Sequence, residues 1–320
     1  MEKNFSITGG ILNNSNPWYG KEGISYEKIF DILSKIGIFK GIELTYPNSF
    51  WGNLENASRV INNSGIKVIS IYSNELSGEE TNKGIFTSND EKFRRKKVNE
   101  FCKLMDFTAK FNIPTITTGV FGDQFDYPFQ VDYKYAWNTL IKSFKEITQY
   151  REDINIALKY KLRDPGTRRF LTNVGETLFF IEKVGSSNLG VCLDTSHSLL
   201  SQESMGLVVN QLLQENKLFQ LDLDDCYRFN DDELIPGTVH FWEFLELLYY
   251  LEREKYDGFY NINIASLRDD VISSLKISVS ILKKYLKIVH KIGLDKFKKI
   301  LNHKEIANTY SILVKEIFKI

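Results

Sequence analysis

The sequence predicts an α/β protein, a closed (β/α)8 or TIM barrel followed by a C-terminal helical extension. Short apolar runs alternate eight times with stretches of helical periodicity between residues 5 and 285. This pattern predicts a parallel sheet with right-handed crossovers, and eight such units in one domain favour a closed barrel. The alternative is an open doubly wound sheet, but no G-x-G-x-x-G motif follows any of the strands.

Each predicted strand is a brief apolar run with polar residues or a glycine at its end, which is typical of strands that are buried on both faces. The first strand covers residues 5–8, and the other seven cover residues 41–45, 67–72, 114–118, 154–158, 189–193, 217–221 and 258–264. An acid follows strands six and seven, Asp194 and Asp222 respectively. In a parallel barrel the chemistry lies at this end of the strands.

The helices are predicted from apolar residues at a spacing of three and four. They cover residues 25–36, 54–61, 90–111, 137–147, 172–184, 208–213, 241–251 and 269–285. Ser25 is the predicted N-cap of the first helix and Gly37 its stop, and Thr172 or Asn173 begins the fifth. The basic run 94–97 falls within the third helix, where we expect a solvated helix face.

We assign residues 1–288 to the barrel and residues 289–320 to a helical tail. The tail carries apolar residues at helical spacing among many lysines. This pattern favours packing on its own barrel or on a neighbouring subunit over membrane binding. A homo-oligomer formed through the tail is therefore an expectation of the sequence.

Composition narrows the range of partners. Among the 320 residues, 41 are Lys or Arg and 41 are Asp or Glu, so the net charge is zero and nothing indicates nucleic acid. The three cysteines, Cys102, Cys192 and Cys226, have no metal or disulfide spacing, and Cys192 lies in an apolar strand. The N-terminus lacks a basic-then-apolar signal and no run reaches membrane length. We expect a soluble cytoplasmic protein without membrane partners.

The stretch 190–233 carries the densest set of candidate site residues. It opens with GVCLDTSH, which places Asp194 and His197 at the end of strand six. Carboxylate oxygen and imidazole nitrogen suit a divalent metal or a sugar hydroxyl. Alternatively, Asp194 caps the following helix and His197 lies on its first turn. Both interpretations stay open at this point.

Three stretches resemble the xylose isomerase-like barrels, and most closely their L-rhamnose isomerase and ketose epimerase branch. They are IALKYKLRDPGTRR at 156–169, LGVCLDTSH at 189–197 and the segment 218–251, which includes DDELIPG at 231–237. The resemblance implies a TIM barrel that acts on or binds a small carbohydrate. Glu43 and Tyr46 are similar to the end of the second strand in that family, where Glu43 is structural.

The same resemblance implies a degenerate metal site. In that branch a Glu, an Asp, a His and a further acid from strands five to eight hold one divalent ion, and the first and last of them move the proton between sugar carbons. These positions fall on Lys159, Asp194, Asp222 and Asn263, with Gln220 as the alternative register for the third. A protonated lysine does not bind a divalent ion, and an amide cannot return a proton near neutral pH. The catalytic positions by resemblance are therefore Lys159, Asp194 and Asp222, and we predict no tightly bound metal at them.

Other positions match the family more closely. Lys161 falls on its sugar-contacting lysine, and the predicted substrate-binding residues are Lys161, His197, Asn263 and Arg268. His197, Asp231 and Glu233 fall on the ligands of a second, looser ion. We predict no cofactor other than a weakly bound divalent ion such as Mn²⁺ at these three residues.

The replacements suggest an internal ion pair. Lys159 would project from strand five beside Asp194 and Asp222, and two neighbouring carboxylates raise each other's pKa unless a cation lies between them. An ammonium could fill that place. The alternative has Lys159 extending to solvent.

Three functions follow from the sequence. The first is a sugar isomerase or epimerase-like enzyme in which Lys159 or Asp222 serves as base, although the family's catalytic carboxylates are replaced. The second is a non-catalytic sugar-binding homologue, or a subunit of a larger assembly. The third, an AP endonuclease-like nuclease, is disfavoured because four histidines, two of them in the tail, cannot build its metal cluster.

Overall fold

Eight parallel strands close into a barrel in the computed structural model of the protein, which confirms the predicted fold class. The structure describes residues 3–13, 23–73, 84–119, 125, 127–164, 167–265, 270–303 and 305–318. The barrel strands are β1 (Asn4–Thr8), β2 (Phe39–Tyr46), β3 (Lys67–Ser73), β4 (Thr115–Gly119), β5 (Asn155–Lys159), β8 (Leu189–Asp194), β9 (Leu218–Leu223) and β10 (Phe259–Ile262). A short antiparallel hairpin that was not predicted, β6 (Arg163–Asp164) and β7 (Thr167–Arg168), follows β5.

Helices cover the outside of the barrel. They are α1 (Gly9–Asn13), α2 (Tyr26–Ile36), α3 (Leu54–Ser64), α4 (Glu91–Lys110), α5 (Tyr133–Tyr150), α6 (Val174–Val184), α7 (Thr195–Leu200), α8 (Met205–Gln214), α9 (Phe241–Arg253) and α10 (Val271–Ile292). The predicted boundaries hold where capping residues mark them. The Ser25 side chain accepts a hydrogen bond from the Lys28 amide, and Gly37 ends α2 with φ of 72°. Asn173 caps α6 in the same way.

The barrel interior is divided into an apolar end and a polar end. At the amino end, a Cβ on Gly190 would lie 2.6 Å from the Phe219 ring, and one on Gly41 would lie 2.8 Å from Phe259. The two glycines therefore make room for the two phenylalanine rings that lie at this end. Toward the carboxyl end, the buried side chains of the strands are polar, among them Glu43, Asp194, Asp222 and Asn261. Branched apolar residues usually fill a TIM barrel, so this polar layer marks the carboxyl end as a candidate site.

The basic run 94–97 corrects one expectation. Arg95 and Lys96 are solvated, but Arg94 is fully buried and Lys97 is 7% exposed. The guanidinium of Arg94 bonds Glu91 at 2.8 Å and Glu146 on α5 at 3.0 Å. These two carboxylates replace the water that the arginine loses, so the run ties α4 to α5 and only half of it is a solvated face.

The C-terminal extension forms two further helices, α11 (Leu294–His303) and α12 (Ile306–Ile317), and packs on the same chain's barrel as predicted. Its rings pair with those of α9: Phe297 lies 4.7 Å from Tyr249, and Tyr310 lies 4.9 Å from Trp242. Assembly through this extension stays a prediction. Among the described residues no helix is long and apolar enough to cross a membrane. The three cysteines are buried and free.

Candidate functional site at the carboxyl end of the barrel

A buried lysine lies between two carboxylates at the carboxyl end of the strands. Lys159 is the last residue of β5, Asp194 is the last of β8, and Asp222 lies opposite Asp194 on β9. The Lys159 Nζ atom is 3.0 Å from Asp194 Oδ2 and 2.7 Å from Asp222 Oδ2. The lysine side chain is 12% exposed, so the predicted internal ion pair is confirmed and the solvent-facing alternative is wrong.

The pKa values of this pair show which influence wins. Burial is the largest single influence on Lys159 and lowers its pKa, but Asp222 and Asp194 together outweigh it and hold the pKa well above the ordinary value. Burial alone would raise the pKa of Asp222, yet the Lys159 ammonium lowers it below its usual range. Each group therefore favours the charged form of the other.

The capping interpretation of Asp194 is confirmed, while its role toward a metal or a sugar hydroxyl stays a prediction. Its Oδ1 accepts the backbone N–H of His197 and so caps α7, while its Oδ2 binds the lysine. Asn263 Nδ2 donates to the same Oδ2 at 3.0 Å. The four positions that the resemblance assigned to the metal, Lys159, Asp194, Asp222 and Asn263, thus lie together.

A third carboxyl lies inside the same network. Glu43 on β2 accepts hydrogen bonds at Oε2 from Ser70, Thr117 and Gln220, at 2.6–2.8 Å. Gln220 also donates to Asp222 Oδ1 at 2.9 Å and thereby joins the two acids. Burial, followed by the charge of Asp222, raises the pKa of Glu43. The sequence indicated Glu43 only as a structural residue.

Two further polar residues of the network were missed by the sequence analysis. Asn261 on β10 donates to Asp222 Oδ1 at 2.9 Å. Asp224, just beyond β9, accepts the Ser196 amide at 2.9 Å, and burial raises its pKa well above the ordinary value. Asn261 lies two residues before Asn263, and Asp224 lies two residues after Asp222, so the period of two along an extended chain is the signal that could have found them.

A second cluster lies nearer the barrel mouth. Lys161 Nζ is 2.9 Å from Asp231 Oδ2, and His197 Nε2 is 3.0 Å from the same oxygen. His197 Nδ1 lies 2.8 Å from the Tyr160 carbonyl oxygen and can donate to it, which fixes the ring. Burial opposes the charge of Asp231, but His197 and Lys161 prevail and hold its pKa far below the usual range.

Glu233 completes this outer cluster. Burial, followed by the charges of Asp231 and Asp194, raises its pKa to about 7. Its backbone has a positive φ of 48°, an uncommon conformation for a residue other than glycine, and its carbonyl oxygen accepts the Ala265 amide at 3.0 Å. The remaining predicted substrate-binding residue, Arg268, lies outside the described residues.

The donor sets decide where an ion fits. At the position that the resemblance gives to the first ion, the ammonium of Lys159 takes the two carboxylates and one ligand is an amide, so the residues do not fit a divalent metal. Of the three ligands predicted for the looser ion, His197 and Asp231 lie with Asp194, and each of these three offers one ligand atom within 4.8 Å of the others. The third predicted ligand, Glu233, is not part of this group. An ion bound through Asp231 Oδ2 would compete with Lys161, whereas Asp231 Oδ1 has no hydrogen-bond partner among the described residues. Weak binding of Mn²⁺ at this cluster stays a prediction.

The structure is a (β/α)8 barrel with a buried polar network at the carboxyl end of its strands. The family described as the xylose isomerase-like TIM barrel matches residues 30–285 of the chain. The protein therefore belongs to that family, as its motifs predicted.

Individual relatives are distant. The xylose isomerase of Thermus thermophilus is 24% identical over 221 residues, and the match covers 66% of this chain and 56% of that protein. The chain thus spans about half the length of this relative.

Solved structures share the fold. A D-tagatose 3-epimerase-like protein has a TM-score of 0.69 at 18% identity, covering 90% of this chain and 99% of that chain. A D-psicose 3-epimerase with D-tagatose from Clostridium cellulolyticum H10 has a TM-score of 0.70 at 16% identity, covering 88% and 99%. An L-ribulose 3-epimerase has a TM-score of 0.66 at 14% identity, covering 95% and 98%.

Proposed function

We propose that the protein binds a small sugar or sugar derivative at the carboxyl end of its barrel, and that it does so without a divalent ion at the position of Lys159. The observation that carries the proposal is the ammonium of Lys159 between Asp194 and Asp222, at 3.0 and 2.7 Å. This cation neutralises the two carboxylates that would otherwise attract a dication. In this proposal the ammonium takes the place of the ion among the polar residues of this end.

The outer cluster supports a sugar as the ligand. Lys161 is a donor, while Asp231 and Glu233 are acceptors when ionised, and sugar hydroxyls both donate and accept hydrogen bonds. Asp231 Oδ1 is buried and has no hydrogen-bond partner among the described residues. A ligand hydroxyl could satisfy this atom. The neighbours of known structure that are named as ketose 3-epimerases have the same barrel.

The replaced residues argue against metal-dependent isomerisation. That reaction needs carboxylates at the positions of Lys159 and Asn263 to move a proton. The two carboxylates beside Lys159 hold its pKa well above the ordinary value, so it is neither a base nor a Schiff-base nucleophile near neutral pH. An amide such as Asn263 cannot take up and return the proton. We therefore expect binding without sugar isomerisation.

Titration calorimetry tests the proposal with D-tagatose, D-psicose, D-fructose and D-xylose, each in EDTA and in MnCl₂. We expect at least one sugar to bind with the same Kd in both buffers and to be recovered unchanged. Lys161→Met should weaken binding about tenfold or more, the size of a hydrogen bond to a charged group. Lys40→Met, at the exposed amino end of β2, is the matched control and should leave Kd unchanged. Manganese-dependent epimerisation of any of the four sugars would contradict the proposal.

A further inference from the structure

We propose that the protein binds a small organic cation, an ammonium ion with apolar substituents, in a cavity between α9 and the two helices of the C-terminal extension. The described residues that line this cavity come from α9, α11 and α12. Its volume is about 540 Å³, within the range of about 300–1,000 Å³ that small-molecule sites occupy. The inference does not rest on the function proposed for the barrel mouth.

Four aromatic rings line the cavity in two pairs. The ring centroids of Trp242 and Tyr310 lie 4.9 Å apart, and those of Tyr249 and Phe297 lie 4.7 Å apart. Each pair joins one ring of α9 to one ring of the extension. Tyr249 is 3% exposed and Phe297 is 8% exposed, whereas Tyr310 is 39% exposed. The second pair therefore forms the floor of the cavity, and the first pair stands at its open side.

A carboxylate lies between the two pairs along α9. Trp242, Glu246 and Tyr249 follow one another at spacings of four and three residues, which places all three on one face of the helix. A Cβ on Gly206 of α8 would lie 2.9 Å from Glu246 Cδ, so the glycine leaves room for this side chain. Among the described residues that line the cavity, only Glu246 and Glu243 carry a charge.

The charge of Glu246 is not balanced by a neighbouring cation. Glu243 pairs with Arg228 at 3.3 Å, whereas Glu246 forms no ion pair with a described residue and accepts a hydrogen bond from the Ser204 hydroxyl. Partial burial, followed by the charge of Glu243, raises the pKa of Glu246. Both influences disfavour the carboxylate, and a cation in the cavity would offset them.

The rings and the carboxylate together select the class of ligand. The face of an aromatic ring carries negative charge and attracts a cation, most strongly where water is excluded. A neutral apolar ligand would cover Glu246 without giving it a partner, and an apolar anion would be repelled by it. A metal ion needs several oxygen or nitrogen ligands, which the rings do not supply. The ligand that fits is a quaternary or alkylated ammonium ion.

Titration calorimetry with choline tests the charge that the cavity selects. The matched ligand is 3,3-dimethylbutan-1-ol, which has the same shape but a carbon atom in place of the charged nitrogen. We expect choline to bind about tenfold or more tightly than this alcohol. Glu246→Gln should weaken choline binding about fivefold to tenfold and leave the alcohol unaffected, because only the charge is removed. Glu182→Gln, which removes a carboxylate of α6 that is 73% exposed, is the control.

A second variant tests the rings. Tyr310→Ala should weaken choline binding about twofold to fivefold, the size of one contact between a cation and an exposed ring. Tyr135→Ala is its control, because Tyr135 lies on α5 and is 40% exposed, against 39% for Tyr310. Lys161→Met, which alters the barrel mouth, should leave choline binding unchanged. The result is therefore distinguishable from that of the sugar titrations.

Three outcomes would overturn the inference. If choline binds no more tightly than the alcohol, or does not bind, the cavity does not select a cation, whatever the sugars do at the barrel mouth. If either Glu246→Gln or Tyr310→Ala binds choline as tightly as the parent, this cavity is not the cation site. If choline does not bind and sedimentation velocity shows a dimer that Tyr310→Ala dissociates, the cavity is a contact between copies of the chain.

Discussion

Lys159 and Lys161 stand two residues apart along the chain, and each pairs with carboxylate at 2.7–3.0 Å, yet their surroundings differ. Lys159 is 12% exposed and faces two carboxylates with exposures of 1% and 0%. Lys161 is 19% exposed and shares Asp231, itself 18% exposed, with His197. The inner lysine belongs to the buried interior of the barrel, and the outer one belongs to its mouth.

Burial determines whether each ion pair stabilises the fold or can exchange with water and ligands. Water cannot take the place of the Lys159 ammonium between Asp194 and Asp222. Without the lysine, the two buried carboxylates would have no counter-ion. A ligand hydroxyl or water can replace Lys161 beside Asp231, because both side chains are partly exposed. We therefore expect the inner lysine to maintain the fold, and the outer lysine to contribute to the proposed ligand binding.

The largest expected effect is the difference in the free energy of unfolding between the variants that lack Lys159 and Lys161. Lys159→Met should lower the free energy of unfolding by about 3–5 kcal/mol, since it leaves two buried carboxylates without a cation. Lys161→Met should lower it by about 1 kcal/mol or less, as for a partly exposed pair. Urea unfolding of the two variants and the parent measures both values.

A double variant separates charge from packing in this result. Adding Asp222→Asn to Lys159→Met removes one of the repelling carboxylates, so we expect part of the lost stability to return. If Lys159→Met unfolds at the same urea concentration as the parent, the buried ammonium does not stabilise the fold.

Restoring the family's ligands should convert the interior from a fixed cation to a metal site. The variant Lys159→Glu, Asp222→His, Asn263→Asp offers four metal ligands together with Asp194. An ion that binds only the folded state adds about 2.7 kcal/mol at one hundred times its Kd. Thermal unfolding with and without MnCl₂ should show this gain for the variant and a much smaller one for the parent, whose outer cluster is predicted to bind Mn²⁺ only weakly. Equal shifts in both proteins would show that the ion binds elsewhere.

The fold could be predicted from the sequence because each strand and helix carries its own local signal. Apolar runs and capping residues such as Ser25, Gly37 and Asn173 mark the boundaries one element at a time. The basic run 94–97 shows where this reasoning stops. The partner of Arg94 across the helix pair, Glu146, is more than fifty residues away along the chain, and nothing near Arg94 indicates that it is buried.

The site was predictable to the extent that the motifs aligned its residues. Charge balance favoured an internal ion pair of Lys159 with Asp194 and Asp222 over a solvent-facing lysine, and the structure has this pair. The link from Glu43 through Gln220 to Asp222 depends on contacts across the barrel between residues 177 positions apart. A single sequence contains no signal for such a contact, so the inner network was found only in the structure.

The interior and the mouth also differ in how their stability should depend on pH. Burial and the charge of Asp222 raise the pKa of Glu43 in the interior, whereas His197 and Lys161 lower the pKa of Asp231 at the mouth. An unfolded glutamate has a pKa of about 4.3. Because the folded protein holds the Glu43 proton more tightly, its contribution to stability is complete below that pH and is lost as the pH rises through the raised value. Asp231 has the opposite sign, with stability that is present at neutral pH and lost in acid.

The free energy of unfolding of Glu43→Gln should therefore increase, relative to that of the parent, as the pH rises from 5 to 8. Glutamine carries no charge at either pH, so it avoids the loss that Glu43 suffers. Its amide changes the hydrogen bonds to Ser70 and Thr117 by the same amount at both pH values, and only the difference between the two is informative. The sign of this difference follows from the raised pKa of Glu43. Urea unfolding measures it, with the exposed Glu55→Gln as control. A constant difference at pH 5 and pH 8 would mean that Glu43 does not titrate in this range.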